Sequence, residues 1–158
     1  MTDQDSQPLE PEAPAAEQPP ERPPAILLLS SSGVADAGAA AETASLPVPN
    51  GATKDMMVLG DRIYHGQVGG ATCTGCHGAN AKGTPLGPDL TDTQWLWSDG
   101  SFAAIAKTIT TGVPQPKQYR SPMPPMGGAQ LTSDQVSAVA AYIWGLSHQD
   151  LSRESHLH

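Results

Sequence analysis

Apolar and polar positions along the chain change character near residue 53. Ahead of that point no period holds. Residues 1–24 mix proline, glutamate and glutamine with isolated apolar residues. Such a pattern cannot gather a buried face, so a disordered, solvated arm is expected. Ala25, Ile26, Leu27, Leu28 and Leu29 then form a short apolar run, followed by a Ser-rich stretch and Ala35-Asp36-Ala37. Residues 38–53 return to alanine, proline and glycine and read as linker.

Beyond Thr53 helical stripes begin. Met56, Met57, Leu59, Ile63 and Tyr64 recur at helical spacing and predict a helix from Lys54 to about Gly66, with Thr53 as its cap and Asp55 in the favourable first turn. Gly60 interrupts the stripe at a cost of about 1 kcal/mol relative to alanine, which makes sense where another helix crosses closely. From Ala79 to Asp99, Gly83, Pro85, Gly87 and Pro88 predict irregular chain. A second helix is expected from Ser101 to about Thr111, with Phe102, Ile105, Ala106 and Ile109 on one face, ended by Gly112 and Pro114. After a Pro-rich segment, Thr132-Ser133-Asp134-Gln135 forms a capping box. Val136, Val139, Ala140, Ile143 and Trp144 then repeat at helical spacing to about Leu146. Residues 148–158 show no period and read as a frayed tail. The pattern thus divides into an arm (1–53), one all-α domain (54–147) of about three to four short helices with long loops, and a tail.

Composition adds a constraint on the core. Gly and Pro number 16 each and only 4% of residues are aromatic, so side chains alone supply little bulk for a centre. A long loop without secondary structure, such as 79–99, is reasonable where it wraps a cofactor. The formal charge of −8 is uneven. Residues 1–53 carry eight acids against Arg22 alone, giving −7. Residues 54–150 carry six bases against seven aspartates, giving −1, and Arg153 cancels Glu154. The acidity belongs to the arm, and no basic face invites nucleic acid. The apolar run 25–29 is far too short for a membrane-spanning helix. Ahead of Ala35-Asp36-Ala37 it has the order of a degenerate signal peptide, but its long acidic flank fits a retained or tethering arm.

The candidate chemistry lies at Cys73-Thr74-Gly75-Cys76-His77, a C-x-x-C-H motif and a signature of covalent haem attachment. Cysteines three apart bring both thiols to one side of a helical turn, where they can form thioethers with two vinyl groups. The following imidazole can then ligate iron as the proximal ligand. Gly75 and Gly78 leave room for a flat macrocycle. A structural zinc site needs two further ligands, and the remaining histidines, His65, His148, His156 and His158, form no compact second pair. A redox dithiol would follow a strand, and no β-branched run precedes Cys73. A soft distal ligand is available in Ser121-Pro122-Met123-Pro124-Pro125-Met126, where prolines limit the freedom of the chain. Met123 and Met126 both remain candidates at this level. Trp95 and Trp97 can pack on the ring edge or simply anchor the loop.

Taken together, Gly60-x-x-x-Tyr64, CTGCH at 73–77, Gly87-Pro88-Asp89-Leu90, Met123-Pro124-Pro125-x-Gly-Gly and Val139-x-x-Tyr142 resemble the class I c-type cytochromes. The resemblance covers residues 54–147 and leaves the acidic arm outside. It implies the cytochrome c fold, with loops wrapped around one haem c bound through Cys73 and Cys76. It implies a crossing of the first and last helices at the glycine. It makes His77 and Met123 the axial ligands, selecting Met123 over Met126, and gives the carbonyl of Pro88 to His77.

The expected function is that of a one-electron carrier in a respiratory chain, not an enzyme. It would pass electrons between a periplasmic dehydrogenase or respiratory complex and an oxidase, with redox proteins as partners and possible association with a membrane complex. Haem is attached to this motif outside the bacterial cytoplasm, so export to the periplasm is expected. The rival readings, a haem peroxidase or a gas-sensing haem module, both need an open distal position that a methionine would fill.

Overall fold

The computed structural model describes residues 41–154. Residues 41–45 are helical. They are followed by α1 (Lys54–Tyr64), α2 (Cys73–His77), α3 (Phe102–Thr111), a 3-10 turn (Pro125–Gly128), α4 (Ser133–Ser147) and α5 (Gln149–Glu154). Among the described residues extended pairing is limited to two isolated antiparallel bridges, Thr84 with Gly87 and Val113 with Met123. The fold is the all-α cytochrome c fold. The acidic segment 1–40, with its apolar run and Ala35-Asp36-Ala37, and the last residues, 155–158, lie outside the described residues.

Local signals start the helices where the pattern predicts. Thr53 Oγ1 accepts from Met56 N at 3.2 Å, and Ser101 Oγ accepts from Ala104 N at 3.3 Å. At α4 the capping box closes in both directions: Thr132 Oγ1 accepts from Gln135 N at 3.2 Å, and Gln135 Oε1 accepts from Thr132 N at 2.9 Å. Each such cap is worth about 1 kcal/mol.

The core forms where α1 and α3 pack on α4. Met57, Ile63 and Tyr64 of α1 are fully buried, as are Ala138, Ala140 and Ala141 of α4. These small residues let the two helices approach closely, and at Gly60 no side chain fits. A Cβ there would overlap the carbonyl of Ala138 and come within 2.8 Å of Tyr142 Cβ. Ile105 and Ile109 of α3 join the same core.

Two boundaries differ from the sequence-based expectation. Residues 41–48 are not linker: Thr43 and Leu46 are buried, and Leu46 belongs to the main core. Lys54 Nζ donates to the carbonyls of Ala44 and Leu46 at 2.6 and 2.7 Å, fastening this strap to the start of α1. Gly145 of α4 admits it, because a Cβ there would lie 3.2 Å from Leu46 Cβ and 3.0 Å from the Pro47 carbonyl. The burial comes from tertiary contact and leaves no period in an Ala- and Pro-rich stretch. At the other end, the segment read as frayed continues as α5. His148, the C-cap of α4, stacks on Trp144 with ring centroids 4.0 Å apart, and Nδ1 lies 2.8 Å from the Trp144 carbonyl, which stiffens the junction. Among the described residues no helix is long and apolar enough to cross a membrane.

Candidate functional site

The C-x-x-C-H segment forms the single turn α2, entered from Thr72. Thr72 donates twice to the Gly127 carbonyl, from its backbone N at 3.2 Å and from Oγ1 at 2.8 Å. This joins the turn to the segment that carries the two candidate methionines. Cys73 and Cys76 are half-buried free thiols that line one cleft with His77. Burial pushes the Cys73 thiol above its ordinary range. Gly75 borders open space, where an added Cβ would meet nothing, whereas Gly78 ends the turn at φ +83°, a conformation that side chains disfavour.

His77 is buried, and its Nδ1 lies 2.9 Å from the carbonyl of Pro88. Burial lowers the imidazole below its ordinary value, so the ring is neutral. A neutral ring that donates Nδ1–H to a carbonyl carries its lone pair on Nε2, the tautomer required of a metal ligand. The loop that brings Pro88 to this position is pinned by Gly83 N to the His77 carbonyl at 2.8 Å and by Thr84 Oγ1 to the Cys76 carbonyl at 2.6 Å. Gly87 must be glycine here, because a Cβ would stand 3.2 Å from the His77 ring and 3.0 Å from the Cys76 carbonyl.

Across the cleft, Met123 is held by a two-bond bridge: Val113 N donates to the Met123 carbonyl at 2.8 Å, and Met123 N donates to the Val113 carbonyl at 3.0 Å. Met126 also lines the cleft, but its backbone has φ 55° and its Sδ accepts from Leu131 N at 3.4 Å. Trp95 is half-buried against Gly100, where an added Cβ would overlap the indole. Trp97 is 41% exposed, with Lys117 Nζ 4.6 Å from its ring centroid.

Cys73, Cys76, His77, Pro88, Trp95 and Met123 therefore line a single cleft, with Ile105, Ile109, Leu131, Val139 and Ile143 on its apolar walls. Its volume, open mouth included, is about 1190 Å³. Two thiols, a neutral imidazole and a thioether around an apolar slot fit a covalently bound haem. Zinc fits poorly, since no group of three or more His, Cys, Asp or Glu residues is gathered among the described residues. The pattern of the sequence did not disclose the clamps on α2. Thr72 and Thr84 are ordinary loop threonines by sequence. The Tyr64 hydroxyl, which donates to the Gly78 carbonyl at 2.6 Å, is hidden inside a residue that already counts as core.

Comparison with known proteins agrees with this geometry. Residues 58–147 match the sequence profile of the family described as Cytochrome c. The Cbb3-type cytochrome c oxidase subunit FixP of Rhizobium etli is 40% identical over 79 residues, covering 48% of this chain and 27% of its own. The Cbb3-type cytochrome c oxidase subunit CcoP of Rubrivivax gelatinosus is 37% identical over 91 residues, covering 58% of this chain and 26% of its own. The chain thus spans about a quarter of the length of these relatives. A solved structure, cytochrome cL of Methylophaga aminisulfidivorans, is a distant likeness with 23% identity and a TM-score of 0.43, covering 56% of this chain and 51% of that one.

Proposed function

The chain belongs to the cytochrome c family, and from that premise we propose that it binds one haem c and works as a single-electron carrier on the periplasmic side of a respiratory chain. Cys73 and Cys76 would hold the haem as thioethers, and His77 and Met123 would be the axial ligands. When bound, the haem iron supplies the chemistry by gaining and losing one electron.

The chain's own residues do the rest. Pro88 fixes the tautomer and orientation of His77 through the 2.9 Å contact at Nδ1. This is the observation that carries the reading, because it leaves Nε2 as the unprotonated nitrogen in a cleft shared with both thiols. Two features favour Met123 over Met126: its backbone is bridged to Val113, and the Met126 sulfur is already occupied by Leu131 N. A thioether favours the ferrous state and raises the potential relative to a second histidine. The apolar walls exclude water and keep the charge change in a poorly solvated space, while the cleft mouth stays open to a partner.

Since the relatives named above are subunits of cbb3-type oxidases, the natural acceptor is a terminal oxidase, reached either as part of its complex or as a docking partner. A periplasmic dehydrogenase or respiratory complex would be the donor. The test is expression with haem-attachment machinery, followed by intact mass and redox titration. A single covalent haem and a reversible one-electron wave are expected. Protein that carries no haem, or haem that stays attached in the Cys73→Ala/Cys76→Ala variant, would overturn the reading.

A further inference from the structure

Resting on the reading of the cleft as a haem site, the geometry points to His65 as a positioning residue whose protonation is coupled to electron transfer. As an imidazolium it clasps the backbone just past the attachment turn, and its charge favours the reduced state.

His65 directly follows α1 and serves as its C-cap. Nδ1 lies 2.9 Å from Asp61 Oδ1 and 2.9 Å from the Asp61 carbonyl, and Nε2 lies 3.0 Å from the Ala79 carbonyl. A carboxylate and two amide carbonyls only accept hydrogen bonds. A neutral imidazole has one N–H, so it can satisfy one side and must turn a lone pair towards an oxygen on the other. Only the imidazolium donates at both nitrogens. The side chain of Asp61 is 9% exposed and that of His65 is 31% exposed, so the counter-charge is shielded while the imidazole exchanges protons with water.

The position is consequential because Ala79 lies two residues beyond His77. Consecutive residues of one element, Tyr64 and His65, hold consecutive carbonyls, Gly78 and Ala79. Loop and proximal ligand are further joined by Gly83 N to the His77 carbonyl at 2.8 Å.

The groups around His65 leave Asp61 as its main electrostatic partner. On α1 the Tyr64 ring lies 5.1 Å away, and on α4 the Tyr142 ring lies 6.4 Å away. Burial keeps both phenols neutral, and Tyr142 is hydrogen-bonded to Asp61. Glu42, from the helical residues 41–45, acts on Tyr142, and Cys73, from α2, acts on Tyr64. In the loop, Lys82 is engaged with Thr91 Oγ1 at 2.7 Å, and Arg62 is on the exposed side of α1.

Reduction brings one electron from the donor and makes the cleft less positive. The site then holds the His65 proton more tightly, so up to one proton is taken from water at Nε2 and is returned when the electron leaves. As pH rises Nε2 loses its proton, the bond to Ala79 is lost, Nδ1–H stays with Asp61, and the potential falls.

The test uses the haem-loaded protein. Potentials measured between about pH 5 and 8, the range in which imidazoles change charge, should fall through one step in the wild type. His65→Asn should remove that step. His65→Arg, with a permanent cation, should remove it as well while keeping the potential near the acid-side level. A step due to haem carboxylates would survive both variants. Nitrogen-15 spectra of the ferrous wild type should show both His65 ring nitrogens protonated on the acid side and Nε2 losing its proton first. A flat profile, a step that persists in His65→Asn, or a single neutral tautomer throughout overturns the proposal. Failure to bind haem would instead overturn the haem reading and this inference with it, whereas a flat potential in loaded protein overturns this inference alone.

Discussion

Gly60 of α1 and Ala138 of α4 meet backbone to backbone, with no space for a Cβ on the glycine. Two effects of Gly60→Ala oppose each other. Helix propensity gains about 1 kcal/mol, while overpacking a buried contact costs about 1–3 kcal/mol and more where the neighbour is backbone. Ala138 is fully buried and cannot retreat. Denaturant melts of the holoprotein should therefore show a net loss of about 2 kcal/mol for Gly60→Ala, and a larger loss for Gly60→Val.

Met123 and Met126 are separable by spectroscopy. Met123→Ala should abolish the weak near-infrared sulfur-to-iron band of the oxidised protein, lower the potential, and let carbon monoxide bind the ferrous form readily. Met126→Leu should keep the band and cost about 1 kcal/mol of stability, because Leu131 N loses its acceptor. The reverse pattern would assign the ligand to Met126.

Burial raises Tyr64 and Tyr142 well above the usual phenol value, with the charge of Cys73 as the lesser cause at Tyr64 and that of Asp61 at Tyr142. Above about pH 10 the unfolded chain loses phenol protons that the folded chain keeps. The stability contributed by each buried tyrosine is thus complete below that pH and lost above it, by about 1.4 kcal/mol per pH unit. Tyr64→Phe should flatten this alkaline slope. At neutral pH it should cost only about 1 kcal/mol, because Ala81 N still donates to the Gly78 carbonyl.

Leu46→Ala tests the strap. Removing a core leucine costs about 2–5 kcal/mol, and the lower end applies at a site near the surface. A thermal shift is expected from Leu46→Ala and none from Leu86→Ala, since Leu86 is 45% exposed.

Much of the core faces a cofactor, so haem attachment and folding should be linked. The apo Cys73→Ala/Cys76→Ala variant should lose most helical circular dichroism. A cooperative helical melt of that variant would count against the linkage.

Features that act locally were legible in the sequence. Thr53, Ser101 and the Thr132–Gln135 box start helices through bonds three residues long, and C-x-x-C-H holds its chemistry within five residues. What could not be read depends on surfaces brought together from afar. Leu46 is buried because Gly145, about a hundred residues on, lacks a side chain. His65 becomes a clasp because the chain returns Ala79 to it. Neither residue type, nor its spacing, records such a meeting. The irregular loop 79–99 falls between: its prolines and glycines exclude a helix, but only the bonds of Thr84 and Gly83 show how tightly it is fixed.

The paired bonds between Val113 and Met123 bear on speed as well as structure. A redox centre alternates between two charges, and every atom that must move to suit the new charge adds to the activation barrier of each transfer. Val113 follows directly on the glycine cap of α3, so the thioether is carried by backbone tied to a packed helix, not by a free loop. Such a site meets both charges with nearly one geometry, and this low reorganisation energy is what lets an electron leave as readily as it arrived.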